Sequence, residues 1–153
     1  MTTAPEISIA PSDKCFGCGH NNPCGLKLKF TWDGKVAKSE FTPTELHQGW
    51  RKIIHGGILT SLLDEAMGYA AYFEGIPAVT GIIEVRLKRP VLIGQPLIIT
   101  ASVTKNARRL AETEAKLTLR DRTIVAEAKA TQYISSTFSN EIGKPNNNAQ
   151  KQE

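Results

Sequence analysis

One segment constrains what the rest of the chain can become. Over residues 57–73 the apolar side chains Ile58, Leu59, Leu62, Leu63, Ala66, Met67, Ala70 and Ala71 recur at helical spacing, and Gly75 and Pro77 then end the pattern. They cover more of the circumference than a surface helix needs, so the spacing predicts a helix that is largely buried. At 1.5 Å per residue it would be about 25 Å long. A helix of that kind must be wrapped by something, and most of the remaining sequence reads as strand.

Residues 26–32 and 35–41 flank Asp33-Gly34, a dipeptide suited to a tight hairpin turn because glycine tolerates positive φ. Ile83, Val85 and Leu87 alternate with Glu84, Arg86 and Lys88. Over residues 112–120, Ala115, Leu117 and Leu119 oppose Glu114, Lys116, Thr118 and Arg120 in the same way. A period of two puts one face in a core and the other in water, as in an antiparallel sheet. Further strands are expected over 97–104 and 124–134, and Ala126, Ala128 and Ala130 share one face of the last. Small side chains in a row allow a bulky object to approach the sheet closely. The fold class is therefore α+β, with an antiparallel sheet around one long central helix.

At 153 residues this is a single domain, with an expected flexible arm at 1–12, a folded unit at 13–138 and a polar, disordered tail at 139–153. No apolar stretch approaches the ~18 residues of a membrane span. The N-terminus does not read as a secretion signal, so a cytoplasmic location without membrane contact is expected. The net charge of +4 suits an anionic ligand, but the basic residues are spread along the chain rather than clustered, which argues against nucleic acid. Lys88-Arg89 and Arg108-Arg109 are the densest basic pairs, either solvated strand ends and turns or contacts for phosphate.

Two acidic residues break the buried helix, Asp64 and Glu65. Charged groups are rarely buried unless paired or functional. The helical neighbours of Asp64 are Gly57, Thr60, Ser61, Gly68 and Ala71, all small, which leaves room for a ligand or another chain. Close helix packing with the carboxylate hydrogen-bonded to backbone is the plainer alternative. Glu65 points about 100° away, and a structural or surface role is expected for it. His55-Gly56-Gly57 opens the helix. The first amides of a helix have no intrahelical acceptors and lie at the positive end of its dipole, and glycines let a substrate oxygen come near them. Fixed donors of this kind are what an oxyanion hole requires.

His55-Gly56-Gly57-Ile58 together with Leu63-Asp64-Glu65-Ala66-Met67-Gly68 resembles the signature of the PaaI-like hotdog thioesterases. The segments Cys15-Phe16-Gly17-Cys18-Gly19 and Asn22-Pro23-Cys24-Gly25-Leu26 are similar to the amino-terminal motif of one branch of that superfamily. The resemblance implies a hotdog fold, a long central helix wrapped by a five- to six-stranded antiparallel sheet, pairing into homodimers and often again into homotetramers. It implies an acyl-CoA thioesterase without a cofactor. The Gly56 or Gly57 amide would polarise the thioester carbonyl, and His55 would orient the loop or the substrate. Asp64 of the opposite subunit would act as general base or as nucleophile. Thr60, Ser61, Trp50, Lys88 and Arg89 are expected to contact substrate, Trp50 as part of a flap unless it packs in the core.

Two departures from the family pattern bear on substrate. Gly49 stands where several members carry Asn, and Glu65 and Gly68 occupy places that often hold a hydroxyl, for which Thr60 or Ser61 would compensate. A non-catalytic acyl-CoA-binding module is the alternative function; a hydratase lacks its paired Asp and His here. Cys15, Cys18, His20 and Cys24 have ligand chemistry for zinc, but a structural site usually joins two separated couples and these four crowd into ten residues. The expectation is a glycine-rich turn with reduced thiols packed as small apolar groups and no metal.

Overall fold

A computed structural model describes residues 7–140. Residues 1–6 and 141–153, half of the expected arm and nearly all of the expected tail, lie outside the described residues. Chain order runs β1 (Ile7–Ile9), β2 (Thr31–Trp32), β3 (Val36–Phe41), a 3₁₀ turn (Glu45–His47), α1 (Gly56–Phe73), β4 (Ala78–Leu87), β5 (Leu97–Asn106), β6 (Leu110–Thr118), β7 (Ile124–Ile134) and β8 (Phe138–Asn140). Six strands form one sheet in the order β2-β3-β5-β6-β7-β4, every neighbour antiparallel. With α1 across its inner face, this is the hotdog fold. Ile7–Ile9 and Phe138–Asn140, in and beside the expected arm and tail, pair in parallel as a separate small sheet. No helix among the described residues is long and apolar enough to cross a membrane.

The helix buries Leu59, Leu62, Leu63, Ala66, Met67, Ala70 and Ala71. These positions follow i, i+3, i+4 spacing and form one two-row stripe toward the sheet. What receives the stripe is a row of alanines running across the strands. Ala37 pairs with Ala101, Ala101 with Ala115, and Ala115 with Ala128, so four neighbouring strands each place a methyl at the same level. All four are buried in the same core cluster as the helix residues. The sequence showed small residues along the last strand; the register extends them across the sheet, as a bed for the helix.

Residues 26–30 differ from expectation. They form no strand, and only Thr31–Trp32 of that segment pairs with β3. The Leu26 and Leu28 amides donate instead to Phe16 O and Gly17 O, at 2.8 and 3.0 Å, in the cysteine loop. Leu26 and Leu28 are buried, and Phe30 and Trp32 stack on Tyr69 and Phe73 of α1. The segment therefore covers the side of the helix turned away from the sheet, which alternation along a sequence cannot distinguish from a strand. The Asp33-Gly34 turn forms as expected, with Gly34 at φ 98° and the Asp33 carboxylate accepting from the Lys35 and Val36 amides.

At the opposite edge β4 pairs with β7 alone. Its expected core residues Ile83 and Val85 are only half-buried, and Leu87 is 51% exposed, because β4 is the edge of the sheet. A bulge at Gly81 sets Thr80 opposite Gln132 and Ile82 opposite Thr131.

The alanine row makes a stability prediction. Ala115→Leu forces four carbons into the place of a methyl beneath α1 and should destabilise the protein by about 1–3 kcal/mol or more. Urea denaturation at unchanged m-value checks this, and a neutral result would mean that the helix does not lie on the row.

Candidate active site

The chain reaches α1 through a tightly bonded loop. The Gly49 amide donates to Ile53 O at 2.8 Å, Lys52 N to Gln48 Oε1 at 2.6 Å, and His55 N to His47 O at 2.8 Å. A Cβ at position 49 would stand 3.0 Å from the His55 Cα, so the glycine that departs from the family pattern is where the loop closes on His55. His47 is fixed in turn: its Nδ1 accepts from the Thr44 amide at 2.9 Å, and burial holds its imidazole below the usual histidine pKa.

His55 is the residue that caps α1. Its Nδ1 accepts from the Gly57 amide at 2.8 Å. Accepting that bond leaves Nδ1 without a proton and makes Nε2 the donor nitrogen of the ring. It also separates the roles of the two glycines. The Gly57 amide is engaged by His55, whereas among the described residues no acceptor takes the Gly56 amide. Gly56 is thus the open donor at the positive end of the helix. A cavity of about 410 Å³ lies against it, lined by Gln48, Gly49, Trp50, Ile54, His55 and Gly56. Trp50 is 85% exposed at its rim, which removes core packing as the reason for this tryptophan.

Asp64 is half-buried, and its Oδ1 accepts from the Thr80 hydroxyl at 2.8 Å. Thr60 and Ser61 direct their hydroxyls to Gly56 O and Gly57 O, at 2.9 and 2.8 Å, one turn back along the helix. The hydroxyl that holds the carboxylate therefore comes from β4. Sequence reading missed Thr80, and the signal was faint: a glycine inside a strand pattern, Gly81, whose bulge shifts the alternation. The bulge is packed from the other side, where a Cβ at 81 would overlap the Tyr133 ring.

Gly56 and Asp64 are eight residues apart on one helix, hence about 12 Å along its axis. A carbonyl within hydrogen-bond reach of the Gly56 amide lies far from the Asp64 carboxylate of the same chain. Lys88 is paired with Glu127 at 3.0 Å, which holds the Glu127 carboxyl below the usual range. Arg89 is exposed just beyond β4. Arg109 lies elsewhere, its carbonyl accepting from Ile134 in the hairpin near the C-terminal end of α1.

Glu65 turns to the other flank of the helix. Its carboxylate and the sulfurs of Cys15 and Cys18 lie within 4.8 Å of one another, and Cys15 Sγ donates to Glu65 Oε1 at 3.5 Å. Burial, followed by the neighbouring carboxylate, pushes the Cys18 thiol up to about 12, against the pull of the Tyr69 hydroxyl that donates to the sulfur. The Tyr69 phenol is raised too, first by burial and then by Cys18. His20 and Cys24 are exposed and stand outside this group.

The family described as the Thioesterase superfamily matches residues 52–126, a stretch that holds His55, both glycines and Asp64. The residues that carry the resemblance thus fall within the match, whereas the cysteine motif lies outside it. Comparison with curated proteins finds no match. Among solved structures, the PaaI protein of the E. coli phenylacetic acid degradation operon is 25% identical, with a TM-score of 0.67 over 71% of this chain and 83% of its own. Zebra fish thioesterase superfamily member 2 is 22% identical, with a TM-score of 0.68 over 75% and 89%. A Streptococcus mutans protein bound to acetyl CoA is 18% identical, with a TM-score of 0.67 over 71% and 88%.

The cap carries its own prediction. His55→Ala leaves the Gly57 amide without an acceptor and should lower stability by about 1 kcal/mol, whereas His55→Asn, itself a good cap, should lose less. Chemical denaturation of the two variants compares them directly, and equal losses would rule out capping as the role of the ring.

Proposed function

We propose that this hotdog-fold chain, matched over residues 52–126 by the thioesterase superfamily, hydrolyses acyl-CoA thioesters at sites shared between two copies of itself. The observation that carries the reading is the pairing on α1 of an unclaimed donor at Gly56 with a hydroxyl-held carboxylate at Asp64, too far apart to serve one carbonyl within a chain. A second copy removes the difficulty. In a two-fold pair each helix start can face the partner's mid-helix carboxylate, and the contact occurs twice.

Strand β4 is suited to make that pair. It is the sheet edge that bears Thr80, and it leaves Ile82 and Leu87 58% and 51% exposed. An unpaired edge with apolar side chains is a template for another strand, and joining two such edges buries it. A further pairing into tetramers follows from the family resemblance. The acetyl CoA bound by the Streptococcus mutans protein of the same fold supports a CoA thioester as the ligand class.

In the proposed reaction the thioester carbonyl accepts from the Gly56 amide, whose fixed dipole favours the charge that develops on oxygen. His55 holds Gly57 and presents Nε2–H toward the substrate. The partner's Asp64 removes a proton from the attacking water, or attacks the carbonyl itself to give a mixed anhydride that water then opens. The thiolate of CoA leaves and takes up a proton. Thr80 keeps one carboxylate oxygen fixed so that the other faces the substrate. Trp50 closes over the acyl group, Thr60 and Ser61 line its path, and Lys88 and Arg89 meet the phosphates.

Thiol release from acyl-CoAs running from acetyl to palmitoyl, with phenylacetyl and benzoyl, tests the activity. Asp64→Asn should lower turnover at least about a hundredfold, the scale of a lost acid–base group. No turnover with any substrate, together with saturable binding by wild type and variant alike, would leave an acyl-CoA-binding module instead. The shared site has a separate test. Co-expressed Asp64→Asn and Gly56→Pro chains should recover about a quarter of wild-type activity, because half of randomly paired dimers hold one intact site. Recovery would be absent if each site belonged to one chain.

A further inference from the structure

The cysteine loop and Glu65 take no part in the proposed hydrolysis, yet the fold brings them together with care. We propose that Cys15, Cys18 and Glu65 bind one divalent cation of the zinc class, with water from the adjoining cavity as the fourth ligand. The sequence alone argued against a metal because its four candidates crowd into ten residues. The structure answers that objection by exchanging two of them. His20 and Cys24 turn to solvent, and a carboxylate fifty residues further along the chain takes their place. The result is two thiols from one loop and a carboxylate from a separate helix, three protein ligands with a fourth position open to water.

The spacing fits. Zinc–sulfur bonds of about 2.3 Å and zinc–oxygen bonds of about 2.0 Å at tetrahedral angles place sulfur and oxygen about 3.5 Å apart. Cys15 Sγ and Glu65 Oε1 are 3.5 Å apart, and all three ligand atoms lie within 4.8 Å. Two thiolates and one carboxylate favour zinc over magnesium or calcium, which take oxygen ligands. On binding, each thiol bond to hydrogen is replaced by a bond to the metal, and the two protons pass to solvent.

Two glycines hold the loop at this approach. A Cβ on Gly17 would stand 2.4 Å from the Glu65 Cδ, and one on Gly19 would stand 2.5 Å from the Cys15 amide nitrogen. The Gly19 amide donates to Cys15 O at 2.9 Å, closing the turn between the two sulfurs. Beside the group lies a cavity of about 290 Å³, lined in part by Tyr69, Gly68 and Ala78, which gives water access to the fourth position. A cation here would tie the N-terminal loop to α1 at the residue next to Asp64.

The full-length chain, reduced and stripped of metal, is titrated with Zn²⁺ and separately with Co²⁺, whose thiolate complexes absorb by charge transfer in the near ultraviolet. The expected result is one ion per chain, a cobalt–thiolate band and about two protons released. Cys15→Ser and Cys18→Ser should each abolish the band, and Glu65→Gln should weaken binding at least about tenfold. Cys24→Ser and His20→Ala should bind as wild type does, which separates this site from a general affinity of thiols for zinc. Folded wild-type protein with three titratable thiols and no stoichiometric ion would overturn the proposal. So would equal loss in Cys24→Ser, or ready conversion of Cys15 and Cys18 to a disulfide in a reduced chain that takes no metal.

Discussion

The closeness of α1 to the sheet governs both the core of this molecule and the edge it leaves open. A helix can approach a sheet only as near as the intervening side chains allow, and Ala37, Ala101, Ala115 and Ala128 reduce them to methyl groups across four strands. Because protein interiors pack as densely as organic crystals, the large partners must then come from the helix. They do: Leu62, Leu63 and Met67 are fully buried. The helix covers β5 and β6 and leaves β4 half bare. The same packing that completes the core thus leaves an apolar edge and brings Thr80 beside the mid-helix carboxylate.

That carboxylate shows how one helix can serve two surfaces. Asp64 and Glu65 differ by about 100° around the axis, so consecutive residues face different environments. Asp64 meets a hydroxyl from the edge strand, and Glu65 meets two thiols from the N-terminal loop. Neither lies on the stripe of Leu59, Leu62, Leu63, Ala66 and Met67, which explains how a helix so apolar can carry two acids. A longer residue than Gly17 would displace Glu65, and an unbulged strand would turn Thr80 to the other face.

Much of this was legible in the sequence because it is periodic or local. The helix was readable from its spacing and its glycine and proline stops, and begins at Gly56, one residue earlier than the spacing placed it. The strand at Ile124–Ile134 and the turn at Asp33-Gly34 needed only alternation and a positive φ. What failed to read depends on partners distant in sequence. Residues 26–30 have the composition of a strand, but their amides find the cysteine loop rather than a neighbouring strand. Thr80 looked like any strand threonine until a bulge set its direction. Glu65 gave no hint of two sulfurs far earlier in the chain, one of them fifty residues back, since nothing local brings them together.

The helix start shows the limit most clearly. His55-Gly56-Gly57 pointed to backbone donors, but the sequence could not say which glycine was open. Geometry separates them, since His55 Nδ1 occupies one amide and leaves the other. A cap normally satisfies an orphan donor to stabilise the helix. Here the capping residue is a histidine whose second nitrogen keeps a proton, so the ring that closes one donor carries another. The Asp64 carboxylate of the same chain lies about 12 Å along the axis from the Gly56 amide. In the proposed dimer a second helix placed antiparallel across the β4 edge would bring the partner's Asp64 to this end, and the unpaired strand would become a condition of the chemistry rather than a defect of the sheet.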